Sequence, residues 1–149
     1  MKMSLQHWVD NHWLHSHNAS VNEIAKLLAV VDRDLADGEK KISQDRKFSA
    51  AYNAPLTLCT VLLRAAGYRA DSTRQHYLTI QAMPLILGKQ RVKDAKFLDS
   101  CRAKRNTIQY ESVGVVTEIE TKELVAFVKT FKKDVKQWLN KHYPELVSL

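Results

Sequence analysis

The residues best equipped for chemistry lie in one run, Arg102-Ala103-Lys104-Arg105-Asn106-Thr107-Ile108-Gln109-Tyr110. At about 100° per residue of helix, Arg102, Arg105, Asn106 and Tyr110 fall on one face at spacings of three and four. A guanidinium offers permanently charged, bidentate donors, an amide offers a donor and an acceptor, and a phenol offers a stacking ring with a hydroxyl. With Lys104 alongside, this is chemistry for a phosphate and the base next to it. The same pattern also suits a structural role, in which Arg105 and Asn106 bond loop carbonyls and Tyr110 packs in the core.

Two further groups stand out. His76, close in sequence to Arg69, Arg74 and Tyr77 and following the Gly67 turn, could bind a ligand or move a proton near neutrality, and equally suits a helix-start residue that is exposed or bonded to the backbone. His7, His12, His15 and His17 are gathered at the N-terminus, but with only Asp10 as a nearby carboxylate they lack the ligand set of a zinc site. They read as surface or capping residues, with Trp8 and Trp13 anchoring the segment to the rest of the chain or to a partner. Cys59 and Cys101 are far apart, outside any paired-cysteine motif, and read as buried thiols of a reducing compartment. No metal or cofactor is called for.

Helices must position these residues. Ser20 and Glu23 form an expected capping box ahead of Ile24, Leu27, Leu28, Val31 and Leu35, which share a helical face up to Asp37-Gly38. A second helix is predicted from near Ser43 to Gly67, apolar on more than one side and carrying Pro55, which should kink it; this marks the most buried helix. A third follows the Asp71-Ser72-Thr73 cap and bends or ends near Pro84, before Gly88. A fourth, strongly charged, holds the Arg102 to Tyr110 run, and Glu111 to Val116 reads as a loop. Thr117 and Glu120 then cap a long helix with Leu124, Val128, Phe131, Val135 and Trp138 at near-heptad spacing, ended by Tyr143-Pro144.

The 149 residues suffice for one core. Four Gly and three Pro are too few for the closely spaced turns of a sandwich or barrel. The implied fold is all-α, an up-and-down bundle of about five helices over residues 21–149, preceded by the His/Trp-rich segment 1–20. No apolar run approaches the roughly 20 residues of a membrane span, and a cytoplasmic location is expected. The +7 net charge makes a polyanion a plausible partner without naming one.

Arg105-Asn106, three residues and then Tyr110 resemble the Arg-Asn-x-x-x-His signature of HEPN domains, the higher eukaryotes and prokaryotes nucleotide-binding helical bundles. Position near the end of a penultimate helix agrees, as does the long last helix with Phe127, Phe131 and Trp138. Upstream, Arg46-x-Phe48-x-x-Ala51-Tyr52-Asn53-Ala54, Leu62 through Arg69, and Gln75-His76-Tyr77 are similar to a bacterial HEPN subgroup. The resemblance covers roughly Val21 to Lys141 and implies an HEPN-like bundle that pairs as a homodimer. In active members the paired Arg and His cut RNA without metal, so the resemblance implies Arg105 and Tyr110 as catalytic residues if the chain is active. Tyr110 stands at the His position, and a phenol titrating near pH 10 is a poor base at neutrality. The implied function is an RNA- or nucleotide-binding module with absent or weak nuclease activity, its site made of Arg102, Lys104, Arg105, Asn106, Tyr110, His76 and Arg69. Two alternatives follow: an RNase toxin of a defence or toxin-antitoxin system, masked by an antitoxin or nucleotidyltransferase partner, and a protein-protein interaction scaffold.

Overall fold

The computed structural model describes residues 4–110 and 116–147, and within these the side chains of Gln109 and Tyr110 lie outside the description. The loop expected over Glu111 to Val116 falls, apart from Val116, outside the described residues. The fold is an all-α bundle, with elements α1 (Leu5–Asp10), β1 (Leu14–Ser16), α2 (Val21–Asp37), α3 (Gln44–Ala65), β2 (Tyr68–Ala70), α4 (Gln75–Leu87), α5 (Val92–Tyr110) and α6 (Glu118–His142). Single 3-10 turns precede α4 and α5 and follow α6.

Helix α3 is the hub, packing on α2, α4, α5 and α6. Its sequence explains why: Phe48, Ala51, Tyr52, Leu58, Leu62 and Ala65 are buried, and so are Val61 and Leu63 on other sides. A helix apolar around most of its girth has to be enclosed. Pro55 sits inside α3 and Pro84 inside α4, which continues to Leu87. Against α3 lies the α6 stripe, in which Leu124, Val128, Phe131, Val135 and Leu139 are buried while Trp138 is half-buried.

The caps follow side-chain chemistry. Thr117 accepts from the Glu120 amide and Glu120 reaches back to the Thr117 N–H, a complete capping box. The box expected at Ser20 is only half made. Ser20 Oγ accepts from Glu23 N at 3.1 Å, but the Glu23 carboxylate is taken by Arg64 of α3, at 2.6 Å, and by His17, at 2.9 Å. A nearby guanidinium outbids a neutral backbone donor because charge-assisted hydrogen bonds are roughly twice as strong.

The two short strands are an addition to the all-helical expectation. They pair antiparallel with Leu14 opposite Ala70, His15 opposite Arg69 and Ser16 opposite Tyr68. Gly67, at φ +101°, turns the chain out of α3 in a conformation that L side chains rarely adopt, and its carbonyl accepts from His17 N. Residues 1–20 are therefore joined to the bundle wherever they are described: Trp8 and Leu14 are buried in a second cluster with Leu63, Ala70, Leu78 and Ala82. Trp8 meets Trp13 edge-on with ring centroids 5.8 Å apart.

Candidate nucleotide-binding cleft

Helix α5 presents its arginines to α3 and to the start of α4. Arg102 lies with its guanidinium carbon 5.8 Å from the centre of the Tyr77 ring, and Arg74 lies 4.6 Å from the same centre. Arg105 stands 5.7 Å from the centre of the Tyr52 ring. Such arginines gain from the negative face of the ring while their N–H groups stay available. Arg102 is held by Asp99, one turn back, through a 2.8 Å hydrogen bond. Among the described residues no carboxylate forms an ion pair with Arg105 or Arg74, so both charges are uncompensated there.

Arg74, Tyr77 and Arg102 border an open cleft of about 570 Å³ at the start of α4, lined also by Ser72, Thr73, Gln75 and His76; Arg105 lies outside this lining. Asp71 starts this corner, accepting from the Thr73 hydroxyl and amide and from His15. Those bonds, Thr73 first, hold its carboxyl down at about 2. His76 is exposed overall, yet its imidazole is shifted below the ordinary value. Partial loss of water is the largest cause, and the positive charges of Arg105 and then Arg102 add to it. An uncharged imidazole beside two guanidinium groups can accept a proton, and the imidazolium so formed can pair with a phosphate.

Beneath the arginines, Tyr52 is fully buried and its hydroxyl has no hydrogen-bond partner among the described residues. Burial pushes this phenol upward, against the pull of Arg102 and Arg105, so it remains an uncharged O–H donor.

The residues expected to act together are partly divided. Arg102, Arg105 and His76 come together, joined by Arg74 and Tyr77. Lys104 lies on another side of α5, ion-paired with Glu120 at the start of α6. Asn106 is exposed, and Arg69 is exposed on β2 and does not line the cleft. Tyr110 ends α5, with its side chain outside the described residues. Spacing along α5 does not point to Tyr52, Arg74 and Tyr77, because they reach it from α3, from the turn before α4 and from α4.

Two of the four N-terminal histidines have carboxylate partners. His15 pairs with Asp71 and His17 with Glu23, each at 2.9 Å. Among the described residues no group of three His, Cys, Asp or Glu is placed to hold a metal ion. Cys59 and Cys101 are free and buried; burial raises both thiols, Cys101 to about 12. Among the described residues no helix is long and apolar enough to cross a membrane. No protein-family model matches the chain, and no curated protein or solved structure is detectably similar to it.

Proposed function

We propose that the chain is an HEPN-type module that forms a homodimer and binds RNA or a nucleotide through its Arg102 and Arg105 face, with absent or weak nuclease activity. The observation that carries this reading is the gathering of Arg74, His76 and Arg102 around one open cleft, with the positive charge of Arg105 felt at His76. Guanidinium groups beside aromatic rings, those of Arg74 and Arg105 without a carboxylate partner among the described residues, suit a phosphate with a base attached. The resemblance of Arg105-Asn106 and the upstream segments to HEPN domains supports the same ligand class.

Binding of labelled single-stranded RNA at low salt tests the site. Arg105→Ala is expected to weaken binding about tenfold and to make the salt dependence shallower by about 0.7 in the log-log slope, the share of one phosphate contact on a single strand. Lys133→Ala, at an exposed position on α6, is the control. Equal affinity of wild type and Arg105→Ala would place the ligand elsewhere.

A second reading is a metal-independent RNase toxin, favoured by the uncharged imidazole of His76 beside Arg105. In that reading His76 takes the proton that Tyr110 is poorly suited to take, and an antitoxin or nucleotidyltransferase partner covers the cleft. RNA cleavage in the presence of a chelator, lost in His76→Ala, is the result it requires. Intact RNA after prolonged incubation leaves the binding module.

A further inference from the structure

A second cavity, of about 410 Å³, adjoins the cleft, and Arg74 and Tyr77 line both. Its other walls include Trp8 and Trp13 from the N-terminal segment, Pro84 and Leu85 from α4, and Val92 and Lys96 from α5. Trp13 is half-buried and Val92 is 43% exposed, so apolar and aromatic surface is open to a ligand. The wall formed by Trp8 carries an indole N–H that is buried without an acceptor among the described residues. Arg74 and Lys96 are the charged residues of the lining, which contains no carboxylate. The groove thus suits something flat and apolar that is attached to an anion.

We infer that this groove receives a nucleobase whose phosphate lies in the adjoining cleft between Arg74 and Arg102. Continuity decides the occupant, since a base and its phosphate are covalently joined and the two cavities share a wall. Trp13 provides the stacking surface, as aromatic rings do for unpaired bases of any sequence. The ligand is then a nucleotide unit, free or within single-stranded RNA, and the inference rests on the phosphate-binding reading above.

The test compares three probes on the full chain: a labelled oligouridylate, an abasic oligomer of the same length, and uridine monophosphate. The wild type is expected to prefer the base-bearing oligomer by about tenfold, within the range of one base stacked on an aromatic ring. Trp13→Ala and Val92→Trp, the latter filling the groove from an exposed position, are both expected to bring that preference close to one. Affinity for the abasic oligomer should stay as in the wild type. Val92→Trp decides the matter if Trp13→Ala does not fold.

Uridine monophosphate binding as tightly as the oligomer would assign the groove to free nucleotides; much weaker binding would assign it to single-stranded RNA. Absence of a preference in the wild type overturns the inference while leaving the phosphate site. So does a preference that survives Val92→Trp, the outcome if the groove takes an apolar protein side chain. Failure to bind either oligomer at low salt overturns the phosphate reading itself.

Discussion

At the scale of the residue, His76 reports most directly on the cleft. Arg105 and Arg102 disfavour its imidazolium, so Arg105→Ala should raise its pKa toward the ordinary value and Arg102→Ala should do so less. Imidazole proton shifts followed by NMR across a pH titration would measure both, and an unmoved titration in Arg105→Ala would contradict the geometry. The sign for stability follows from linkage. Between the lowered folded value and about 6.5, the unfolded chain binds more protons, so this group makes the fold less stable as pH falls below about 6.5. Phosphate in the cleft would favour the imidazolium, and RNA affinity should rise as pH falls through the same window. Much of this was legible beforehand: the arginines of α5 and His76 are visible as residue types, and their spacing locates one helical face. Tyr52 was hidden as a site residue because an aromatic amid Ala51, Ala54 and Leu58 has the pattern of core. The approach of Arg105 to its ring, with Arg102 also near enough to act on its phenol, is what gives it charged neighbours.

At the scale of the element, two caps that look alike in sequence should respond differently. Thr117→Ala breaks both halves of a capping box and should cost about 1 kcal/mol, read from urea unfolding. Glu23→Gln should cost about 2 kcal/mol, in the range for hydrogen bonds to charged groups, because Glu23 joins α2 to α3 through Arg64 and reaches His17. The comparison would fail if Glu23→Gln were neutral. His17 and Arg64 hold the Glu23 carboxyl below its ordinary value although burial opposes them. Its contribution to stability is therefore present above about pH 4.5 and is lost as pH falls through the lowered folded value. Helix starts and stops were readable because caps are local: Ser20, Ser43, Asp71 and Thr117 each accept from an amide two or three residues on. The strands β1 and β2 were not, since three-residue strands about fifty residues apart carry no periodicity of their own.

At the scale of the whole molecule, the N-terminal segment completes the wall that closes one side of the bundle. Leu14 is 1% exposed and belongs with Trp8, Leu63, Ala70, Leu78 and Ala82. Leu14→Ala should lower unfolding free energy by about 2–4 kcal/mol, a core-sized loss from a position that sequence alone assigns to a flanking segment. Thermal unfolding would check it, and a loss no larger than that of an exposed substitution would show that the segment is only draped on the surface. By itself the sequence determined the helical class, the capped starts of α2, α3 and α6 and the central role of α3, because apolar periodicity and caps act over three or four residues; the short α1 (Leu5–Asp10) was not legible in it. It also supplied the basic run of α5. Tertiary structure alone decided that Lys104 is drawn off to Glu120 while Arg102 and Arg105 meet His76, Tyr77 and Tyr52. Helical spacing states which residues share a face, but which neighbour that face meets depends on long-range packing around α3, and that is what brings the charges together.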